Sequence, residues 1–509
     1  MMMILQRGFR LASQHFKAFS PRRLPCGLQR CSLSSLEPPS ISLDELAKRR
    51  KALVLELGRH ASRMSDSPSR HVVLFPGSEI QYMAYHVPYR FHQDSNFLYF
   101  TGFFDANAIL AMDISVQQPF TGNTEPQIDH LEYLFVEVRS HQAELWNGPT
   151  AGIEGAQEAT GIHKVHPLRD FQEFLKRLNS NTVLWYSPLT HKDTTSLPVP
   201  NRFVLSKVLR LRESHQIKIE SPDLLVDSLR YVKSPAEIRL LQHACLTTSQ
   251  CLVKAMAASH PDITESALGN LVEFESRARG LALGYPPVVA GGLRANTIHY
   301  MKNDQPVRDH ELVLMDLGCL YKGYTADVTR TWPVNGHYTP AQRLLHDILE
   351  EVQRTCANAI SPEQNLADIH RIMLTELARH LVSERIIPST KALEAAEHIC
   401  PHSVGHFLGL DVHDTPTVSH SNPLRPGVVF PLEPGIYMRP QLCDKYQIPK
   451  EFVGLGLRLE DDFVVSPDGS AIRLTDQLPT SAEQLEALVG TNVNTDAVSH
   501  GARVNQVQS

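Results

Sequence analysis

The stretch LVLMDLGCLYKGYTADVTRTW, residues 312–332, decides how this chain is read. It divides into two β-rich runs, LVLMDLG and YTADVTRTW, joined by CLYKG, in which Lys322-Gly323 is a turn signal. Pairing the runs antiparallel brings Asp316 and Asp327 to neighbouring positions. Two carboxylates held side by side repel each other unless a cation lies between them. An Asp-rich hairpin by itself is most often a solvated edge, so the rest of the chain has to decide between the two readings.

Three further stretches decide in favour of a metal. His406 lies in HSVGHFLGLDVHD (402–414), Glu433 in FPLEPG (430–435) and Glu460 in GLRLEDD (456–462). All five candidates are read as sitting on strands or strand edges. Glu433 and Glu460 are flanked by apolar residues, where burying an unpaired carboxylate costs several kcal/mol, so a positive group must face them. Four carboxylates and one imidazole form a hard, oxygen-rich set that suits Mn²⁺ better than a thiolate-type zinc site. They neutralise two divalent cations, which at about 3.5 Å separation would share a hydroxide, the nucleophile of a water-activating hydrolase. His299, His402 and His413 are not needed to complete that set. A stray histidine is usually a satisfied core or surface residue, but His402, His406 and His413 fall close together in a glycine-punctuated stretch that favours one pocket. As neutral donors they would hold a scissile carbonyl and its oxyanion.

The 509 residues exceed a usual single domain, and 42% hydrophobic content is enough for two sizeable cores. A formal net charge of −6 gives no basic field for nucleic acid. The eight cysteines are scattered with no C-x-x-C pair, which argues against a disulfide scaffold or zinc knuckle and suits a reducing compartment. No run of about 20 apolar residues occurs, so no membrane span is expected. Residues 1–36 carry Arg7, Arg10, Lys17, Arg22, Arg23 and Arg30 with no acid, interleaved with Leu, Phe and Ser. That is transit-peptide chemistry for the mitochondrial matrix. A later start at Met64 would yield a cytosolic form but would remove the first helical segment, 42–60.

Strands are expected at 71–75, 107–112, 132–138 and 182–186 with a helix at 170–178, an α/β domain spanning 37–220. The aromatic-crowded YRFHQDSNFLYFTGF (89–103) reads as a packed corner of that domain, or as a surface facing the site of the other one. Ser234-Pro235-Ala236-Glu237 is a strong helix start, and DLLVDSLRYV before it reads as a bridging helix. Helices follow at 235–258, 264–279, 340–358 and 364–384, within a second domain at 221–481. The polar tail, 482–509, reads as a short helix followed by disorder.

NTIHYMKND, LMDLGCLYKGYTADVTRTWPVNG, HSVGHFLGLDVHD, LEPGIY and LRLEDD together resemble the aminopeptidase P and prolidase branch of the pita-bread metallopeptidases. The likeness spans nearly the whole chain, and the basic leader resembles that of the mitochondrial members. It implies an N-terminal α/β domain of the creatinase/aminopeptidase P type, followed by a pita-bread domain with a curved antiparallel sheet and outer helices. It further implies two Mn²⁺ per subunit held by Asp316, Asp327, His406, Glu433 and Glu460, with Asp327 and Glu460 bridging. Glu433 would relay a proton to the leaving prolyl nitrogen, His299, His402 and His413 would bind substrate and handle protons, and Arg458 would steady the site. A strand-edge ion pair with an acid such as Asp461 is the plainer reading of Arg458. The implied reaction releases the first residue of peptides with proline second, in a homodimer.

Three alternatives stay open at this point. A processing exopeptidase that trims one N-terminal residue from imported proteins has the same active-site residues, and so does a proline dipeptidase. A non-catalytic pita-bread binding module is disfavoured by the five intact ligand positions, as is metal-free creatinase-type chemistry, while methionine aminopeptidase lacks so large an N-terminal domain.

Overall fold

The computed structural model describes residues 38–63, 69–117, 127–187, 201–215 and 217–491. The basic leader and the end of the polar tail lie outside the described residues.

The N-terminal part is built on a six-stranded mixed sheet. From edge to edge run Lys164–Pro167, Gln127–Val136, Ile109–Gln117, Arg70–Pro76, Thr182–Trp185 and Lys218–Glu220. Of the three longest strands the middle one, Ile109–Gln117, runs antiparallel to both neighbours, and the outer three join in parallel. The centre is apolar on both faces, with Ile109, Leu110, Ala111 and Met112 all fully buried, as a sheet covered on two sides requires. One cover is the Leu43–Ser62 helix, capped by Ser42 and buried along Leu46, Leu53, Leu57 and Ala61. The other comes from the Phe171–Leu175 and Arg202–His215 segments. The helix expected at 170–178 is shorter, a 3₁₀ turn Leu168–Asp170 running into Phe171–Leu175.

Ser234 accepts the Glu237 amide while Glu237 bonds back to Ser234, so the expected capping box opens the Pro235–Ala258 helix. Glu265–Ala278, Pro340–Asn358 and Leu366–Ser383 follow, and Thr339 and Gln342 repeat the capping box before Pro340. These helices lie against antiparallel strands arranged in short pieces. Val288–Gly291, Leu312–Leu317 and Val328–Pro333 form one, Val429–Leu432, Asp461–Val465 and Ala471–Arg473 another, and Gly435–Tyr437 pairs with Gly456–Arg458. Pro340–Asn358 and Leu366–Ser383 share one core with the later strands, while Pro235–Ala258 and Glu265–Ala278 enclose Trp332 in a second. The short C-terminal helix is Ala482–Leu488.

Arg330 and Asp461, both wholly buried, join two of these pieces at 2.6 Å. The guanidinium also donates to the carbonyls of Thr329, Glu460 and Pro479, so every direction of the fork is used. Arg330→Met leaves the buried Asp461 with only Arg473, at 3.8 Å, as a cation opposite it, and is expected to lower unfolding free energy by about 3 kcal/mol. A urea titration with an unmoved midpoint would contradict this.

Only Asp316 of the five ligand candidates lies within a strand. Asp327, Glu433 and Glu460 occupy the two-residue breaks between consecutive strands, which are strand edges as expected, and His406 lies on an irregular segment between Cys400 and Val428. Only His406 departs from the expectation of strands or strand edges. A pleated strand directs successive side chains to opposite faces, whereas a break lets several strand ends turn their acids to one point.

The aromatic segment satisfies both of its readings. Asp94 caps a Ser95–Thr101 helix whose Phe97, Leu98, Tyr99 and Phe100 are buried in a cluster shared with Tyr324, Leu408 and Leu410 of the second domain. It is therefore a packed corner that also abuts the hairpin and histidine segments. Six cysteines among the described residues are free and buried, and no helix among those residues is long and apolar enough to cross a membrane.

Candidate metal centre and active site

The hairpin forms as its turn signal indicates, with Lys322 and Gly323 both at positive φ and Asp316 opposite Thr329. A Cβ on Gly318 would come within 1.6 Å of the Ala326 carbonyl oxygen, so only glycine lets the two arms cross where the aspartates converge. The Tyr285 hydroxyl lies between them, 2.7 Å from Asp316 and 2.5 Å from Asp327. Gly405 makes a similar close approach. A side chain there would meet the Pro431 carbonyl oxygen at 2.0 Å, so its absence lets the histidine segment press against the strand leading to Glu433. His406 Nε2 thereby lies 3.3 Å from Asp327 and 3.9 Å from Glu433. Single donor atoms of Asp327, His406 and Glu460 all fall within 4.8 Å of one another.

Around this group Thr329 and Thr331, two apart on one strand face, reach across to the Glu460 strand. Thr329 Oγ1 donates to Glu460 at 2.6 Å, and Thr331 exchanges hydrogen bonds with the Arg458 backbone. Arg458 does not pair with Asp461, which Arg330 occupies. Its guanidinium contacts Asp316 at 2.6 Å, the Tyr437 hydroxyl at 2.9 Å and Thr329 Oγ1 at 3.0 Å, with Glu460 at 3.9 Å. The Tyr437 hydroxyl lies 3.0 Å from His402 Nε2. His402 Nδ1 is 2.9 Å from the Ser403 carbonyl, which only accepts, so the proton is on Nδ1 and Tyr437 donates to Nε2. The same Nδ1 lies 3.6 Å from Glu433. His402 is thus drawn into the pocket with both nitrogens engaged. His413 stacks edge-on against His406 at 4.6 Å between ring centroids and is itself exposed. His299 is also exposed, near enough to bear electrostatically on both His402 and His413.

The electrostatics are those of a site short of positive charge. Burial, then the charges of Asp327, Glu433 and Asp316, hold the Glu460 carboxyl well above its usual range. Burial pushes Glu433 up to about 7 against the opposing charges of His406 and Arg458. Burial also raises Asp316, whereas the His406 contact outweighs burial at Asp327 and leaves it low. For His406 burial is overcome by Asp327 and Glu433, which raise it to about 9. His402 falls to about 4 through burial and the charge of Arg458. Four carboxylates, Asp327 and Glu460 buried and Asp316 and Glu433 half-buried, facing one arginine and one histidine fit divalent cations. His406 adds the tautomer a ligand needs, with Nδ1 3.2 Å from the Phe407 carbonyl and Nε2 turned to the acids.

Tyr285, Thr329, Tyr437 and Asp462 were not legible as site residues. Asp462 accepts the Asp327 amide at 3.0 Å and the Cys245 thiol at 3.2 Å, fixing the backbone at the break in the hairpin. Hydroxyls of this kind carry no sequence signal of their own. For Asp462 the run Glu-Asp-Asp at 460–462 was a signal, and the strand break assigns its members different partners.

Residues 239–467 match the model of metallopeptidase family M24, and residues 46–185 match that of the aminopeptidase P N-terminal domain. Xaa-Pro aminopeptidase 3 of Mus musculus is 40% identical over 88% of this chain and 86% of its own. Intermediate cleaving peptidase 55, mitochondrial, of Arabidopsis thaliana is 30% identical over 89% of this chain and 84% of its own. A solved variant of Escherichia coli aminopeptidase P in complex with substrate superposes with a TM-score of 0.75 at 27% identity, covering 88% of this chain and 98% of its own. The chain therefore belongs to the M24 metallopeptidase family, in its aminopeptidase P branch, and is a metal-dependent aminopeptidase.

Proposed function

We propose that this enzyme removes the first residue from peptides with proline at position two, using two Mn²⁺ ions per subunit. The observation that carries the reading is the convergence of two buried carboxylates, Asp327 and Glu460, two half-buried ones, Asp316 and Glu433, and His406 beside Arg458. Asp316, Asp327, His406, Glu433 and Glu460 would hold the ions, with Asp327 and Glu460 as shared ligands. Bound there, the ions supply Lewis acidity and lower the pKa of water. The protein's own groups supply the rest. Glu433 would take a proton from the attacking water and return it to the departing prolyl nitrogen. His402 orients Glu433 through the Nδ1 side of its ring while Tyr437 fixes the other nitrogen. His413 and His299, both exposed, are assigned to the scissile carbonyl and the peptide. Proline selectivity has a chemical basis, because an X–Pro bond is a tertiary amide without N–H, and a pocket for its ring has no donor to satisfy.

We assign residues 1–36 to a mitochondrial transit peptide, 37–220 to the N-terminal domain, 221–481 to the catalytic domain, and the active form to a homodimer. A second reading, trimming of one residue from imported proteins without a requirement for proline, draws on the likeness to Intermediate cleaving peptidase 55 of Arabidopsis thaliana and on the basic leader, and ranks behind the first.

Two peptides differing only in proline or alanine at position two discriminate between these readings when mixed with metal-stripped protein, with and without Mn²⁺. Mn²⁺-dependent loss of one residue from the proline peptide alone is expected, read by mass spectrometry. Cleavage of both would favour trimming, and cleavage of neither would leave a binding platform or a dipeptide-only enzyme.

A further inference from the structure

His406 and His413 share the neck of a single loop. The amide of Asp414, next to His413, donates to the carbonyl of Phe407, next to His406, at 2.9 Å. The apolar residues of that neck do not account for its closure, since a cluster of charge is buried beneath it. Arg230, at the end of the Asp223–Tyr231 helix, reaches both Asp411, at 2.7 Å, and Asp414. Lys233 Nζ donates to the other Asp414 oxygen at 3.0 Å. Arg230, Lys233 and Asp414 are each at most 5% exposed, and the two cations balance the two carboxylates.

The N-terminal domain closes the cluster. Ser95 Oγ donates to Asp411 at 2.6 Å, and Asn96 Oδ1 accepts from Arg230 at 2.6 Å. Three residues before Arg230 in the same helix, Asp227 takes the amide and hydroxyl of Thr417 at 2.9 and 2.7 Å, gripping the far side of the loop. Between the two grips lies Thr415, fully buried with φ of 49°. A β-branched residue in the left-handed region is strained, and it persists only where its surroundings over-determine it.

We propose that Arg230 and Lys233 are positioning residues that set His406 and His413 through Asp414 and Asp411, and that Ser95 and Asn96 make this setting depend on the N-terminal domain. The proposal rests on the roles assigned above to the two histidines. It gives the bridging helix a task in catalysis and explains why the aromatic helix keeps polar residues on its first turn.

The test uses the full-length protein with Arg230→Lys and the milder pair Ser95→Ala with Asn96→Ala. Lysine keeps the charge but cannot reach Asn96, Asp411 and Asp414 together. Expected for Arg230→Lys is a fall in kcat of roughly 10–100-fold with KM within about 3-fold, and for the double variant a fall of several-fold. In a His413→Ala background the Arg230→Lys loss should shrink by about 3-fold or more, because one of the two histidines that Arg230 sets is already gone and only the part passing through His406 is left. Deuterium uptake should rise in peptides covering 404–416 in both variants, with the rest of the chain unmoved.

Multiplicative losses in the double-mutant cycle, or uptake raised throughout the chain, would reduce the cluster to a structural tie and overturn the proposal. Unchanged uptake at 404–416 would overturn it whatever the activity. The uptake measurement does not depend on the reaction, so wild-type protein that cleaves no X–Pro peptide would overturn the functional reading alone.

Discussion

Asp327→Asn is expected to lose tight divalent-metal binding and roughly 10³-fold or more in kcat/KM. The size follows from the Lewis-acid contribution: about 4 kcal/mol, at 1.36 kcal/mol per tenfold, is three orders of magnitude. Asparagine keeps the shape but removes a full charge and one of two anionic oxygens. It also disturbs two contacts at once, since Asp327 accepts from Tyr285 at 2.5 Å and faces His406 at 3.3 Å. Because His406, Tyr285 and Arg458 hold the Asp327 carboxyl below its usual range despite burial, its charge stabilises the fold, so the metal-free variant should also unfold somewhat more easily than wild type. The diagnostic is the stabilisation by metal. An ion at 1,000 times its dissociation constant adds about 4 kcal/mol to wild type and should add little to the variant. Metal content by mass spectrometry and melting with and without Mn²⁺ give the answer, and a variant that retained its ions and a tenth of its activity would refute the ligand assignment.

Arg458→Met has the next largest effect, and it acts on stability as well as rate. Arg458 is 2% exposed and spends its donors on Asp316, Tyr437 and Thr329, while its charge offsets Glu460. Methionine fills much of the space but leaves Asp316 buried with no cation in the metal-free protein. A loss of about 3–5 kcal/mol is expected there, and a smaller loss once divalent ions supply the missing charge. Activity should fall by roughly 10–100-fold because Asp316, Glu460 and the Tyr437–His402 pair lose a common support. Arg458→Lys should rescue little, as one ammonium cannot address three directions. Equal destabilisation with and without metal, measured by urea unfolding, would show that Arg458 serves packing rather than the charge balance of the site.

Much of this was legible in the chain itself, for identifiable reasons. Ser234-Pro235-Ala236-Glu237 specifies a helix start through contacts within four residues, and the helix runs over 235–258 as read. Lys322-Gly323 specifies a hairpin through local backbone conformation, and the two aspartates meet beside its arms. The five acid and imidazole candidates stood out because charged residues inside apolar runs demand a partner. None of these inferences needs a contact distant in sequence.

What sequence could not supply was every relation between separate segments. It did not show that Asp461 belongs to Arg330 and Arg458 to Asp316, since two arginines and a run of three acids permit several pairings. Nor did it show that ligands occupy strand breaks, that the Tyr285 hydroxyl lies between two aspartates, or that Ser95 reaches a loop more than 300 residues away while Asn96 holds the arginine beneath it. By itself the sequence determined which residues carry the charge, which segments are helical or extended, and that something positive must gather the acids. Tertiary structure alone decided which charge meets which, because a buried ion pair is selected by distance and dryness, and both exist only once the two domains and the broken sheet have packed together.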